Sequence, residues 1–66
     1  MKKLTIFEVW HTNEFGIALH KQKARDFRDA YNRSPVKIQQ TFFDIVNSET
    51  GETVSKDNLF EHIYSN

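Results

Sequence analysis

The stretch from Val36 to Val54 constrains the fold of this chain more than any other. Two runs rich in β-branched and aromatic residues flank the polar segment at residues 47–52, which contains Gly51. Such runs favour strands, and glycine readily takes the positive φ that tight turns need. The sequence therefore predicts a β-hairpin. If residues 48–51 form its loop, Ile45 lies opposite Val54 and Val46 lies opposite Thr53.

The length of the chain predicts one domain, residues 1–66, with a small core. A core of this size leaves little margin of stability, so a homodimer or a bound target is one way to gain more. The chain has no cysteine, which fits a reducing compartment. The apolar run at its start is interrupted by Glu8 and His11, too early for a membrane span or a signal peptide. We expect a cytoplasmic protein with no membrane segment.

The sequence predicts the order of the first strands and helices. Residues 4–10 favour a first strand, and the alternation of Phe15, Ile17 and Leu19 favours a second, although a helix from Thr12 or Asn13 through to Arg33 competes with it. Residues 21–32 carry apolar residues at helical spacing and predict the first helix. Ser55 is a candidate N-cap for a final helix, whose apolar stripe comprises Leu59, Phe60, Ile63 and Tyr64.

Residues 35–47 admit two interpretations. Ser34-Pro35 is a good helix start, and Ile38, Phe42 and Ile45 keep helical spacing. The β-forming run that ends at Val46 and the turn after it favour a strand instead, and we take the strand as the prediction.

The predicted fold class is α+β: a small ββαββα domain whose four-stranded, mostly antiparallel sheet carries two helices on one face. The two halves resemble each other faintly at an offset of 36 residues, where Phe7-Glu8-Val9 matches Phe43-Asp44-Ile45. Chance similarity of two amphipathic patterns explains this match about as well as a repeated ββα unit does.

Nothing in the sequence predicts catalysis, a cofactor or a metal. No local group of hydroxyl, histidine and carboxylate suggests a nucleophile, and two glycines cannot form a glycine-rich phosphate loop. His11, His20 and His62 are far apart in sequence. Pairing of the first hairpin about Asn13-Glu14 would set His20 opposite Phe7, so we do not expect the histidines to converge.

A basic flank on the predicted first helix is the candidate nucleic-acid site. Lys21, Arg25 and Arg28 recur at i, i+4 and i+7, and residues 21–33 carry a charge of +3, whereas residues 44–66 carry −4. The formal net charge of zero argues against an indiscriminate polyanion binder. A solvated helix face explains these cations at least as well.

Exposed aromatic side chains are the candidate protein-binding site. Nine aromatic residues exceed the evident need of a small core, and adjacent Phe42 and Phe43 cannot both point to one face of a strand. Trp10, at the end of the first strand, is a second candidate for exposure, and arginines such as Arg28 are frequent in protein interfaces. A core in which both sheet faces are covered explains these aromatics equally well.

The sequence thus predicts a small non-enzymatic module that binds and modulates another protein through Trp10, Phe42, Phe43 and Arg28. The alternative is a small DNA- or RNA-binding regulator that uses Lys21, Arg25 and Arg28. In length, composition and the turn at residues 47–52 the chain resembles small accessory proteins of bacteria, phages and plasmids, a resemblance that implies no activity.

Overall fold

The structure is a computed structural model that describes the backbone of residues 3–64 and the side chains of residues 3–61. The described elements are β1 (Thr5–Asn13), β2 (Gly16–Ala24), α1 (Phe27–Arg33), α2 (Val36–Gln39), β3 (Phe43–Asn47), β4 (Thr53–Ser55) and α3 (Lys56–Tyr64). This order confirms the predicted α+β class and its ββαββα succession, to which the structure adds the short helix α2. Within residues 3–64, no helix is long and apolar enough to cross a membrane.

The four strands form one antiparallel sheet in the order β2-β1-β3-β4. At its centre, Val9 of β1 lies directly opposite Ile45 of β3. These two residues are 36 positions apart, which is the offset at which the halves of the sequence resemble each other. The local two-fold relation between β1 and β3 therefore matches Phe7 with Phe43, and both phenylalanines are buried.

The core lies on one face of this sheet, where α1 and α3 pack. Phe7 and Val9 of β1, Ile45 of β3 and Leu59 of α3 are almost completely buried. The ring of Phe27 in α1 contacts Phe7 edge to face at a centroid distance of 5.2 Å. Tyr31 contacts Phe60 of α3 in the same way at 5.5 Å. Both long helices thus cover the same face, as predicted.

The second hairpin has the predicted register, with Ile45 opposite Val54 and Val46 opposite Thr53. Its turn is held locally, because Asn47 Oδ1 accepts hydrogen bonds from the backbone N–H groups of Glu49 and Thr50. Gly51 has a φ of +77°, which L side chains rarely adopt.

The turn of the first hairpin lies one position later in the chain than predicted, and its strands are longer than predicted. Its turn is formed by residues 14 and 15, and β1 pairs with β2 over nine positions. Because the turn is not centred on Asn13-Glu14, His20 lies opposite Val9, and the predicted pairing of His20 with Phe7 is wrong. Asn13 Oδ1 accepts a hydrogen bond of 2.7 Å from the Phe15 N–H and so closes the turn.

The first helix starts later than predicted. Residues 21–24 belong to β2, and α1 begins at Phe27 after the N-cap Asp26, whose carboxylate accepts a 2.8 Å hydrogen bond from the Asp29 N–H. The long ladder with β1 keeps residues 21–24 extended, although their intrinsic preferences also suit a helix. Ala24 is buried in the observed strand, and the predicted helix would bury it too. Its spacing from Phe27 therefore did not distinguish a strand from a helix.

Residues 35–47 divide between the two interpretations. Residues 36–39 form the one-turn helix α2, and only residues 43–47 form a strand, so the predicted strand from Val36 onward is wrong in its first half. Contacts distant in sequence hold this turn. Gln39 Nε2 donates to the carbonyl oxygens of Tyr31 and Ser34, and Lys56 Nζ donates to those of Gln39 and Thr41.

The last helix follows β4 directly. Ser55 Oγ accepts a 3.4 Å hydrogen bond from the Asn58 N–H, which confirms Ser55 as the predicted cap. Leu59 is buried and Phe60 contacts Tyr31, as the predicted stripe requires. The side chains of Ile63 and Tyr64, predicted to complete that stripe, lie outside the described residues.

Candidate functional site

The face of the sheet opposite the two long helices is open. Trp10 keeps 42% of its surface exposed, whereas its neighbour Val9 on the other face keeps 1%. Because side chains alternate between the faces of a strand, the register determines which residues share the open face with Trp10. They are Ile6, Glu8 and Thr12 of β1, Ile17, Leu19, Lys21 and Lys23 of β2, Asp44 and Val46 of β3, and Thr53 and Ser55 of β4.

One end of this open face is apolar. Trp10 lies opposite Leu19, and Thr12 lies opposite Ile17, which is 73% exposed. The Thr12 N–H donates to the carbonyl oxygen of Phe42, so Phe42 continues the line of β3 beside β1. Phe42 is 77% exposed. We call Trp10, Ile17, Leu19 and Phe42 the apolar end.

A shallow groove of about 220 Å³ runs beside the apolar end. Trp10, Thr12, Ile17 and Phe42 line one part of it, and Asp44, Ser55, Lys56 and Asp57 line another. The largely buried Phe43 also borders the groove. The ammonium group of Lys56 is already engaged by two backbone carbonyl oxygens at 3.0 and 2.9 Å. The two carboxylates of this groove are exposed. The groove therefore combines exposed aromatic surface with acidic groups at its border.

The remaining half of the open face carries side chains of both charges beside the apolar Ile6 and Val46. Glu8 lies directly opposite Lys21, and Ile6 lies opposite Lys23. Asp44 lies opposite Trp10 on the other side of β1. Two lysines and two carboxylates thus share the open face, and they give it no large field of one sign.

The structure separates the predicted interaction residues. Trp10 and Phe42 come together at the groove, as the hypothesis requires. Phe43 is only 5% exposed and packs against Tyr31 at 5.6 Å, with Lys56 Nζ 5.6 Å from its ring centroid, so it belongs to the core. Arg28 lies on α1, on the other face of the sheet, and does not join Trp10.

The predicted basic flank does not form. Lys21 lies in β2, Arg25 precedes α1, and only Arg28 is helical, so the three cations do not share one helix. Asp29 of α1 pairs with two arginines, since the Nε atoms of Arg25 and Arg33 lie 3.5 and 3.0 Å from its carboxylate. Asp29 also accepts a hydrogen bond from the Arg25 backbone N–H, which is the main reason why its pKa lies below the ordinary value.

Histidines and carboxylates do not converge on a metal site within the described residues, where no group of three or more such side chains is close enough to hold an ion. His11 lies opposite Phe43 and Ala18, and the His20 ring lies 3.3 Å from the side-chain oxygen of Gln22. The side chain of His62 lies outside the described residues.

Ile17 and Leu19 are the surface residues that sequence reasoning did not assign to the site. The signal was present, because the alternation that predicted the second strand places both on the face that also carries Lys21 and Lys23. Lysines mark a solvent-facing side of a strand, so the apolar residues in phase with them were candidates for exposure. Phe15, at the turn, is 92% exposed and extends the apolar surface at this end of the hairpin.

The chain matches no protein-family model, and neither the curated proteins nor the solved structures contain a significant match to it.

Proposed function

We propose that this protein is a small non-enzymatic module that binds another protein through the apolar end of its open sheet face. The observation that carries the proposal is the joint exposure of Trp10, Ile17 and Phe42 on the face that the helices leave uncovered. Clustered apolar surface of this kind marks interaction sites, and tryptophan is enriched among residues that dominate binding energy. Binding there would modulate the partner by occupying part of its surface. The lack of cysteine fits action in the cytoplasm.

Mixed charge on the open face favours a protein partner over nucleic acid. Proteins that hold the phosphate backbone need several cations on one surface. Here Lys21 and Lys23 share the face with Glu8 and Asp44. The alternative hypothesis, a nucleic-acid regulator that uses Lys21, Arg25 and Arg28, has less support because these residues lie on three different segments.

Capture from a bacterial lysate, with and without nuclease, tests this proposal. The bound protein is identified by mass spectrometry, produced in pure form, and titrated against the wild type and the variants Trp10→Thr and Phe42→Ala. We expect each substitution to weaken binding about tenfold or more, since anchors of this kind contribute roughly 1–2 kcal/mol or more.

Val36→Ala provides the matched control. Val36 is an exposed apolar residue on α2 that does not line the groove. Its substitution should leave the affinity unchanged. Equal affinities of wild type, Trp10→Thr and Phe42→Ala would refute the proposed site, and retention of nucleic acid that is lost at high salt would favour the alternative.

A further inference from the structure

The outer edge of β2 is a second feature of the open sheet. β2 is one of the two edge strands and has nine residues, whereas β4 at the other edge has three. Sheets usually blunt their edges with short strands, because an edge presents unpaired backbone groups that can join another strand. β4 follows that rule and β2 does not.

Hydrogen bonds on β1 show which backbone groups of β2 point outward. The Thr12 N–H donates to Phe42, and the Ile6 carbonyl accepts from the Ser48 N–H, so even-numbered residues of β1 face β3. Odd-numbered residues therefore face β2, where they pair with even-numbered partners, such as Val9 with His20. Backbone groups on the free edge of β2 belong to the alternate residues, which are Ile17, Leu19, Lys21 and Lys23.

The same four residues place their side chains on the open face. Ile17 and Leu19 form one half of this row, and Lys21 and Lys23 form the other. β2 contains no carboxylate. A strand added at this edge would therefore meet apolar positions at one end and cationic positions at the other. Outward N–H and C=O groups follow the row, and among them the Lys23 carbonyl already accepts a 3.3 Å hydrogen bond from the Gln22 side chain.

We propose that β2 accepts an extended acidic segment of the partner protein, which adds an antiparallel fifth strand to the sheet. Acidic side chains of this segment would lie opposite Lys21 and Lys23, and apolar side chains opposite Ile17 and Leu19. Backbone hydrogen bonds supply the general affinity of such strand addition, and alternate side chains supply its specificity. This inference rests on the proposed function, since it names the class of segment that the module binds.

Charge argues against a second copy of the chain as the occupant of this edge. Two copies of β2 paired antiparallel about His20 would set Lys21 opposite Leu19 and Lys23 opposite Ile17. The interface between the two paired strands would contain four lysines and no carboxylate from either strand. Lysine on an edge strand is a recognised obstacle to self-pairing, whereas an acidic segment turns the same lysines into favourable contacts.

Titration with the synthetic peptide Glu-Thr-Glu-Thr-Val-Thr-Val, followed by backbone amide NMR, tests this inference without the cellular partner. In antiparallel alignment its glutamates oppose Lys23 and Lys21, and its valines oppose Leu19 and Ile17. We expect saturable shifts centred on these four amides. A peptide with lysine in place of both glutamates should bind more weakly, because like charges would then lie opposite each other.

Methylation of single peptide nitrogens distinguishes strand addition from loose contact. The amide of the second glutamate faces β2 in the proposed alignment, and its methylation should abolish binding. The amide of the middle threonine faces away, so its methylation should leave binding largely intact. Equal effects of the two methylations would overturn the proposed geometry.

Lys21→Thr and Lys21→Pro form a matched pair on the protein. Both remove the charge, but only proline also removes the outward N–H, which has no partner in the ladder with β1. We expect Lys21→Thr to weaken peptide binding about two- to fivefold, and Lys21→Pro to abolish it. Similar amide spectra of the two free variants away from residue 21 would show that both are folded.

Three further outcomes would overturn the inference. They are no β2 shifts at millimolar peptide, equal affinity for the lysine peptide, and concentration-dependent shifts at the β2 edge in the absence of peptide, which would identify a second copy as the occupant. Each is independent of the Trp10 and Phe42 titrations. If those variants lose the partner while the peptide fails, the proposed function stands and only the strand addition is refuted.

Discussion

Adjacent phenylalanines at the start of β3 provide the sharpest test of the two-faced sheet. Phe42 is 77% exposed at the groove, and Phe43 is 5% exposed in the core. Two adjacent residues of the same type thus lie in opposite environments. Truncation of each should separate the stability of the fold from its binding surface.

The expected difference follows from burial. Removal of a buried phenylalanine side chain typically costs about 3–5 kcal/mol, from lost transfer free energy and the cavity left behind. A domain of this length has a total stability of roughly 3–10 kcal/mol, so Phe43→Ala should remove a large share of it, and all of it at the lower end of this range. Phe43→Leu retains most of the side chain and should cost about 1–2 kcal/mol. Substitutions of Phe42 should stay within about 0.5 kcal/mol of wild type.

Urea unfolding monitored by far-UV circular dichroism measures these differences at one fixed protein concentration, which removes any effect of self-association. Phe42→Leu and Phe43→Leu are the decisive pair, since both should fold. If Phe42→Leu lost as much stability as Phe43→Leu, the open face would be covered in solution, and the reasoning from exposure to function would fail.

Further substitutions test individual parts of the structure by the same unfolding assay. Lys56→Met removes hydrogen bonds to two backbone carbonyls and should cost about 1–3 kcal/mol, whereas Lys37→Met on the exposed side of α2 should have little effect. Gly51→Ala must adopt a φ of +77° and should cost about 1–2 kcal/mol, with Gly51→Asn less harmful. The pKa of Asp29 is lowered in the folded state, chiefly by the Arg25 backbone N–H, so its stabilisation is present above the unfolded carboxyl pKa of about 3.9 and is lost as the pH falls through the folded value. The stability difference between wild type and Asp29→Asn should therefore shrink from pH 7 to pH 3, and a difference that grew on acidification would contradict this assignment.

Local chemistry made the second hairpin predictable. The Asn47 side chain, the positive φ of Gly51 and the β-forming residues on both sides all act within a few positions of one another. Register then follows from loop length alone, which is why the pairing of Ile45 with Val54 could be stated in advance. The final helix was predictable for a similar reason, because its Ser55 cap is local.

The boundaries of helices and strands that depend on contacts distant in sequence were not predictable in the same way. Residues 21–24 are extended because β1 pairs with them, and α2 is held by Gln39 and Lys56 across 5–17 residues of sequence. One local signal was nevertheless missed. Asp26, with Asp29 three positions later, forms a cap that would have started α1 close to Phe27 and removed the basic flank from the hypothesis.

The candidate site depended on both kinds of information. Exposure of one of two adjacent phenylalanines follows from strand alternation, but the sequence does not say which one, since that depends on the pairing of Phe43 with His11 across the sheet. Arg28 was assigned by composition and lies on the wrong side of the sheet. Ile17 and Leu19 are in phase with Lys21 and Lys23, a sequence signal for exposure that was missed, and the structure adds that the helices leave their face open.

The open face of the sheet and the outer edge of β2 are not independent surfaces, because Ile17 and Leu19 belong to both. Their side chains lie at the apolar end, and their backbone groups lie on the free edge of β2. A strand added at that edge would place its own side chains on the open face, beside Leu19 and one strand away from Trp10. The open face would then widen from four strands to five, and part of the contact with the groove could come from the same chain that supplies the strand. A single partner that carries both an extended acidic segment and an apolar anchor would therefore bind the open face and the β2 edge together. Two unrelated partners would instead compete for Ile17 and Leu19.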